Sequence, residues 1–332
     1  MAAALIVLFL RNVDFRHVLA AIVRARVDWL ALSLASMFVN LALRAWRWQY
    51  LLEPIGTTSF AGAFRATAVG FAASTVLPAR AGEFIRPYFL SRQNRVSATG
   101  AFATVILERL LDVVTVLAFL AVYGFLFGRR FAAANPVAFE RMTWVGAAAG
   151  AGAAAALAVL FVLAGDPARI GRAMERLARV VPSALAGMLA RVAEKFARGL
   201  GAIRRPRRLV VAAFWSVPLW LSIAAGIWAA AAAFDLGIDF AGSFLIIALL
   251  SLGVTVPTPG AIGGFHFAFR YGATTFFGAP DDAAVGAAIV LHLLSVGPAL
   301  GLGLLFAAQE GLNMSGIQRL ADQAEHRSTA LP

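Results

Sequence analysis

Three charged side chains follow a long apolar run that ends near residue 77. Arg80, Glu83 and Arg86 are spaced i,i+3, so any local helix places the carboxylate between two guanidinium groups. Pro78 and Gly82 break the helix in the same segment, which leaves backbone groups free close to the charges. Because a guanidinium fork matches phosphate geometry bidentately, the residue types favour binding of a phosphate-bearing group.

A second charged cluster lies about ten residues inside the apolar run that starts at residue 98. Glu108 and Asp112 are spaced i,i+4 and share a helical face, whereas Arg109 and Asp112 are spaced i,i+3. One interpretation is a structural knot of ion pairs that holds two helices together. The other is a polar cavity that accepts a charged lipid headgroup.

A third segment, residues 255–266, contains two prolines and three glycines within eight residues and cannot form a continuous helix. At membrane depth, such backbone survives only where it is buried in protein or lines a wet cavity. We therefore assign a gating or broken-helix role to seven residues of the two broken segments: Pro78, Gly82, Pro257, Pro259, Gly260, Gly263 and His266. His266 is either a titrating group near neutral pH or a satisfied hydrogen-bonding side chain.

The composition and the apolar runs predict which secondary-structure elements carry these clusters. The 332 residues are 61% hydrophobic and 14% charged, with mean hydropathy +0.80, which excludes soluble, disordered and fibrous classes. No cysteine is present, so disulfides and thiolate sites are excluded. The prediction is an all-α polytopic membrane protein with about eight transmembrane helices and broken or re-entrant segments. Apolar runs predict spans at 2–10, 27–50, 61–78, 98–127, 143–164, 209–234, 241–256, 265–278 and 284–308.

Basic residues predict the orientation of a single integral membrane domain, residues 1–312. We expect 165–208 to be an amphipathic cytoplasmic connection and 313–332 to be a cytoplasmic tail. Together with 11–26 and 80–95, these segments hold 21 of the 29 basic residues, so all four are predicted inside.

The two broken segments also echo each other, about 180 residues apart in corresponding halves of the chain. Each follows an apolar run and precedes a long helix. Such paired broken segments indicate a two-fold internal repeat with a binding site between its halves, although few residues match and coincidence is the alternative.

The three segments carry, in order, the motifs Arg80-x-Gly82-Glu83-x-x-Arg86, Glu108-Arg109-x-x-Asp112 and Pro257-x-Pro259-Gly260-x-x-Gly263. In these motifs and their order, the chain resembles the transmembrane region of lysylphosphatidylglycerol synthases and their stand-alone relatives, the flippase-like integral membrane family. The resemblance covers most of residues 5–310. It implies movement of lipids with charged or glycosylated headgroups between leaflets. Two positions depart from the family, because many members carry Gly at Ala261 and an acidic residue at His266. The soluble aminoacyl transferase domain of full synthases is absent from this sequence, so the resemblance implies no synthase activity.

The leading hypothesis is a lipid flippase that moves a phosphate-bearing lipid, aminoacylated or glycosylated, across the inner membrane of the cell. Arg80, Arg86 and Arg109 would bind phosphate. The acidic residues would hold those guanidinium groups or bind a cationic headgroup; they are Glu83, Glu108 and Asp112. Expected partners are membrane lipids with anionic or zwitterionic headgroups, and no nucleic acid.

Two rival hypotheses remain. A membrane-embedded transferase of envelope lipid synthesis would need acidic metal ligands or a nucleophile, and only Asp281 and Asp282 are suggestive. A non-transporting accessory subunit would instead partner an envelope lipid-synthesis enzyme. We expect no enzymatic activity, no catalytic residue, no metal and no cofactor, since hydrolase, metalloprotease and nucleotide-binding motifs are missing from the sequence.

Overall fold

The structure is a computed structural model that describes residues 9, 13–77, 81–93, 96–134, 136–165, 195–197, 199–202, 205–255 and 258–310. Ten helices, numbered here in chain order, account for most of these residues. They are α1 Phe15–Arg24, α2 Val27–Leu52, α3 Phe60–Val76, α4 Gly82–Gln93, α5 Ala98–Ala134, α6 Pro136–Gly165, α7 Pro206–Ala233, α8 Gly242–Gly253, α9 Gly264–Phe277 and α10 Asp281–Gln309.

Five of these helices are long and apolar enough to cross a membrane: α2, α5, α6, α7 and α10. The predicted class, an all-α polytopic membrane protein, is confirmed. Local signals set several helix starts. The Ser59 hydroxyl accepts from the Gly62 amide at the start of α3, and Pro206 occupies the first turn of α7.

Four shorter helices form two hairpins rather than separate spans, namely α3 with α4 and α8 with α9. In each hairpin, the paired helices touch through glycine. A Cβ atom added to Gly82 would lie 1.8 Å from the Gly70 carbonyl oxygen, and one added to Gly264 would lie 2.1 Å from that of Gly253. The predicted spans at 61–78, 241–256 and 265–278 are therefore corrected to hairpin arms, because the two helices of each pair pack side by side through these glycines.

The two hairpins belong to two structural repeats. The elements α2 to α5 correspond in order to α7 to α10, and the corresponding helices begin about 180 residues apart. Packing follows the same correspondence, because α2 packs against α7, α3 against α10, and α5 against α8. The predicted internal repeat is thus present in the tertiary structure.

The helices α2 and α7 run antiparallel and define two ends of the bundle. At the lower end, the Arg26 amide donates to the Ala233 carbonyl over 3.0 Å. At the upper end, Arg208 Nη1 donates to Glu53 Oε2 over 2.7 Å. The first hairpin enters and leaves at the upper end, and the second enters and leaves at the lower end. The repeats are therefore inverted relative to each other.

This geometry corrects one part of the predicted orientation. The Asp14 amide contacts Asp282 at the lower end, whereas Arg65 pairs with Glu310 at the upper end. Residues 13–26, the described part of segment 11–26, therefore lie at the opposite end of the bundle from the end of α10. The predicted placement of both on one side is wrong. The physical reason is that five crossings, an odd number, separate them once α3 and α4 are recognised as a hairpin.

Two other predictions fall on residues that the structure does not describe. Most of the amphipathic connection 165–208 lies outside the described residues, as does the tail 313–332. The described flanks of the connection, Leu160 and Leu200, pack together with Leu51 at the upper end.

Candidate functional site

The tip of the first hairpin comprises residues 74–77 and 81–83, and that of the second comprises 254–255 and 258–263. The two tips meet halfway along the bundle and border a partly open cavity of about 240 Å³. Gly260 in the second tip lies against Thr75 in the first. The cavity walls come from α3, α4, α5, α10 and the two tips; the lining includes Ser74, Gly82, Glu83, Arg86, Arg109 and Thr258.

Beside this cavity, α2 contributes two arginines to a buried ion network. Arg47, which has no exposed side-chain surface, contacts Asp112 over 2.8 Å and Glu108 over 3.4 Å. It also donates to Ser216 Oγ of α7 over 2.7 Å. Arg44, one turn earlier, lies 3.5 Å from Asp112. The two carboxylates share a face of α5, as the i,i+4 spacing predicts, and this face is turned toward α2.

Arg86 of α4 completes the buried part of the network. Its Nη1 donates to Glu108 Oε2 over 2.7 Å, and its guanidinium carbon lies 3.7 Å from the ring centre of Trp48. Trp220 Nε1 donates to Asp112 over 3.0 Å. Glu108 accepts from two guanidinium groups, and Asp112 accepts from a guanidinium group and an indole, so the burial of both carboxylates is compensated in the folded state.

The remaining two charges of the network lie at the more accessible edge of the cavity. Arg109 Nε is 3.8 Å from Glu83 Oε1, and Arg109 Nη1 is 3.5 Å from Asp112 Oδ2. The side chain of Arg109 is 36% exposed and that of Glu83 is 30% exposed, whereas that of Glu108 is 1% exposed. A ligand entering the cavity would therefore reach Arg109 without first breaking the buried pairs.

The charge balance of this network favours an anion. Its described members comprise four arginines and three carboxylates, which leaves an excess of one positive charge. Arg86 Nε and Nη2 are buried and have no hydrogen-bond partner among the described residues. Guanidinium groups in such surroundings suit oxyanions, phosphate above all. The described residues contain no group of three or more His, Asp or Glu side chains placed to hold a metal ion.

Five of the six predicted headgroup residues come together here: Glu83, Arg86, Glu108, Arg109 and Asp112. Arg80 lies outside the described residues, as do Pro78 and Pro257. The structure joins the two sequence clusters through a contact between helices, since Arg86 pairs with Glu108 on α5. The role of these residues in headgroup binding stays a prediction.

The second tip holds the other predicted segment in an irregular turn. Pro259–Ala261 form one turn of 3-10 helix, in which Gly260 has φ 59° and Ala261 has φ 57°. Gly263 follows with φ 97° and caps α9. These left-handed conformations explain why the segment is rich in glycine.

The predicted gating residue His266 is buried on the first turn of α9 and is not among the residues that line the cavity. Its ring packs against Phe9 and His292, with ring centres 5.1 and 4.6 Å apart respectively. His292 Nε2 donates to the Gly260 carbonyl over 2.8 Å, so His292, rather than His266, holds the tip directly.

Sequence reasoning missed Arg44, Arg47 and His292. Arg44 and Arg47 lie in the apolar run 27–50, so the criterion that selected Glu108, a charge inside an apolar run, would also have found them. His292 lies in the middle of the apolar run 284–308 and carries the same signal in a weaker form.

The chain was compared with known protein families and with curated proteins. The sequence model of the family described as lysylphosphatidylglycerol synthase TM region matches residues 1–303. No curated protein matches the chain. The matched range contains both repeats almost completely, and it includes every described residue of the ion network and of the cavity.

Proposed function

The chain belongs to the lysylphosphatidylglycerol synthase transmembrane-region family, and from this premise we propose that it is a flippase for a phosphate-bearing lipid. The lipid carries an aminoacylated or glycosylated headgroup and moves between the two leaflets. Family membership itself points to the coarser statement, a multi-pass membrane protein with a function related to membrane lipids.

One observation carries this proposal: an arginine-rich ion network borders a cavity that lies midway between the two ends of the bundle. Charged side chains inside a membrane are energetically costly, and where they occur they commonly mark the path of a substrate. The cavity also lies between two inverted repeats and is bounded by broken backbone, the arrangement in which transporters bind their cargo.

The proposal gives each charged group a task. Arg109, at the accessible edge, receives the phosphate first, and Arg86 holds it deeper in the cavity. Glu108 and Asp112 keep the guanidinium groups oriented, because each accepts from more than one donor. Glu83, which lies 3.8 Å from Arg109 at the edge of the cavity, would contact a cationic part of the headgroup. Movement of the hairpin tips relative to each other would expose the cavity to one leaflet or the other.

The substitution Arg109→Lys tests the proposal most directly. Lysine keeps the positive charge beside Asp112 and Glu83 but removes the planar fork that binds phosphate bidentately. We expect a protein that folds and melts like the parent yet moves lipid about tenfold more slowly. The measurement is the rate at which a fluorescent aminoacylated phosphatidylglycerol becomes accessible to an external quencher in reconstituted liposomes.

Arg65→Lys is the matched control. Arg65 also pairs with a carboxylate, Glu310, but it lies at the upper end of the bundle and outside the cavity lining. This variant should transport at the parent rate. Equal rates for Arg109→Lys and the parent would remove Arg109 from the headgroup site, and a large fall in melting temperature would instead favour a structural ion pair.

The same assay separates the flippase from the two rival functions. We assign the chain no covalent reaction, and lipid recovered from the liposomes should therefore be chemically unchanged by mass spectrometry. A new lipid product would support the transferase. No movement of any tested phosphate-bearing lipid by the pure protein, with movement restored by an envelope enzyme, would support the accessory subunit.

We further propose that the protein resides in the inner cell membrane with its C-terminus in the cytoplasm. The basic residues of 165–208 support this orientation through the positive-inside rule. A reporter that is active only in the cytoplasm should work at the C-terminus. Activity of the same reporter in the segment before α1, but not at the C-terminus of intact protein, would reverse the orientation.

A further inference from the structure

Thr258 differs from the other threonines of the cavity in the state of its hydroxyl group. Thr67 Oγ1 donates to the Ala63 carbonyl over 2.7 Å, and Thr75 Oγ1 donates to that of Phe71 over 2.9 Å. The Thr258 hydroxyl oxygen is buried and has no hydrogen-bond partner among the described residues. Because Thr258 lines the cavity, its hydroxyl group is placed to serve a ligand rather than its own backbone.

Arg86 presents a matching feature on the opposite hairpin. It lines the same cavity, and its Nε and Nη2 have no hydrogen-bond partner among the described residues. Its Nη1 is already committed to Glu108, which fixes the guanidinium plane. Buried donors without hydrogen-bond partners are energetically unfavourable. An acceptor that entered the cavity would provide a partner for both the Thr258 hydroxyl and the Arg86 guanidinium.

We propose that Thr258 and Arg86 form a two-sided clamp for a phosphate group, with one donor from each hairpin. The clamp rests on the proposed function, because it assigns the headgroup site of that same cavity. A phosphate offers several strong acceptor oxygens in a tetrahedral arrangement, so it can accept from two opposing walls at once. Seated there, the phosphate bridges the two hairpins and couples cargo binding to their relative position.

The clamp predicts a specific pattern among threonine variants. Thr258→Val removes the hydroxyl group with little change in shape, and Thr258→Ser retains it. The control is Thr115→Val on α5, where a buried hydroxyl donates to the Leu111 carbonyl and lies outside the cavity lining. Loss of one hydrogen bond to a charged group should weaken binding about tenfold in Thr258→Val. Thr258→Ser and Thr115→Val should bind like the parent.

The measurement is calorimetric titration of the full-length protein in detergent with dihexanoyl phosphatidic acid. Dihexanoylglycerol, which lacks the phosphate, and inorganic phosphate are titrated separately. Equal binding of the phosphate-free lipid, or equal affinity of Thr258→Val and the parent, would overturn the clamp. Inorganic phosphate that binds as tightly as the lipid, with the same dependence on Thr258, would support the clamp and identify free phosphate as its ligand.

Melting curves keep the test independent of folding. A Thr258→Val protein that melts like the parent and binds weakly supports the clamp, and recovery in Thr258→Ser excludes a purely steric effect. Lipid movement by the parent together with undiminished binding by Thr258→Val would refute the clamp alone. Phosphate binding without any lipid movement in liposomes would refute the flippase proposal and leave the clamp standing.

Discussion

The two hairpins share one scaffold but carry different chemistry. The first, α3 with α4, places Arg86 against Glu108 and Glu83 against Arg109, both on α5. The second, α8 with α9, presents a neutral tip whose Gly260 carbonyl accepts from His292. Both repeats therefore contribute a hairpin to the walls of the cavity, whereas the charged side chains that would bind a ligand come from the first repeat alone.

A physical reason explains this asymmetry. Buried charge is tolerated only where donors and acceptors compensate each other, and α2 provides both Arg44 and Arg47 for that purpose. In the second repeat, α7 provides Ser216 and Trp220, which donate or accept but carry no charge. Movement of the second tip would therefore expose no unpaired ion to hydrocarbon.

The largest loss of stability should follow from breaking the ion network, which belongs to the first repeat. Arg47→Met leaves Glu108 and Asp112 without their shared cation and should cost about 3–5 kcal/mol of the free energy of unfolding. Arg270→Met is the comparison in the other half, where Asp281 is 44% exposed and keeps contact with water. We expect less than half the loss there, measured by thermal melting in detergent. Equal losses would show that the halves do not differ in the way described.

An intermediate effect should be common to both halves. Gly82→Ala and Gly264→Ala each force a methyl group into a facing carbonyl, and each should cost about 1–3 kcal/mol or more. Similar melting temperatures for the two variants would support a shared scaffold. A strong effect in only one hairpin would show that the two repeats share the order of their helices but not the tight packing at glycine. Gly124→Ala on α5, which would meet no neighbour within 4 Å, is the control.

The smallest effect concerns the second tip and has the opposite sign. Ala261 holds φ 57°, a left-handed conformation that disfavours residues with a Cβ atom. Ala261→Gly should therefore stabilise the protein by about 0.5–1 kcal/mol, which a rise in melting temperature would reveal. A fall would mean that the alanine methyl group packs favourably enough to outweigh the backbone strain.

Local spacing predicted part of the candidate site and missed the rest. The i,i+4 spacing of Glu108 and Asp112 was sufficient to place both on one face of a helix, and the structure agrees. Pairs within one segment were also predicted for Arg86, yet its guanidinium reaches across to α5. Helical spacing describes neighbours on one helix only, so partners supplied by another helix, such as Arg47, stay invisible to it.

By itself, the amino-acid sequence determined the membrane class, the helical content and the positions of the breaks. These follow from apolar length and from proline and glycine, which act on the chain locally. Only the tertiary structure decided that the breaks are the tips of inverted hairpins, that α2 neutralises the carboxylates, and that Thr258 faces the same cavity as Arg86. Those outcomes depend on contacts between helices distant in sequence, for which local patterns carry no information.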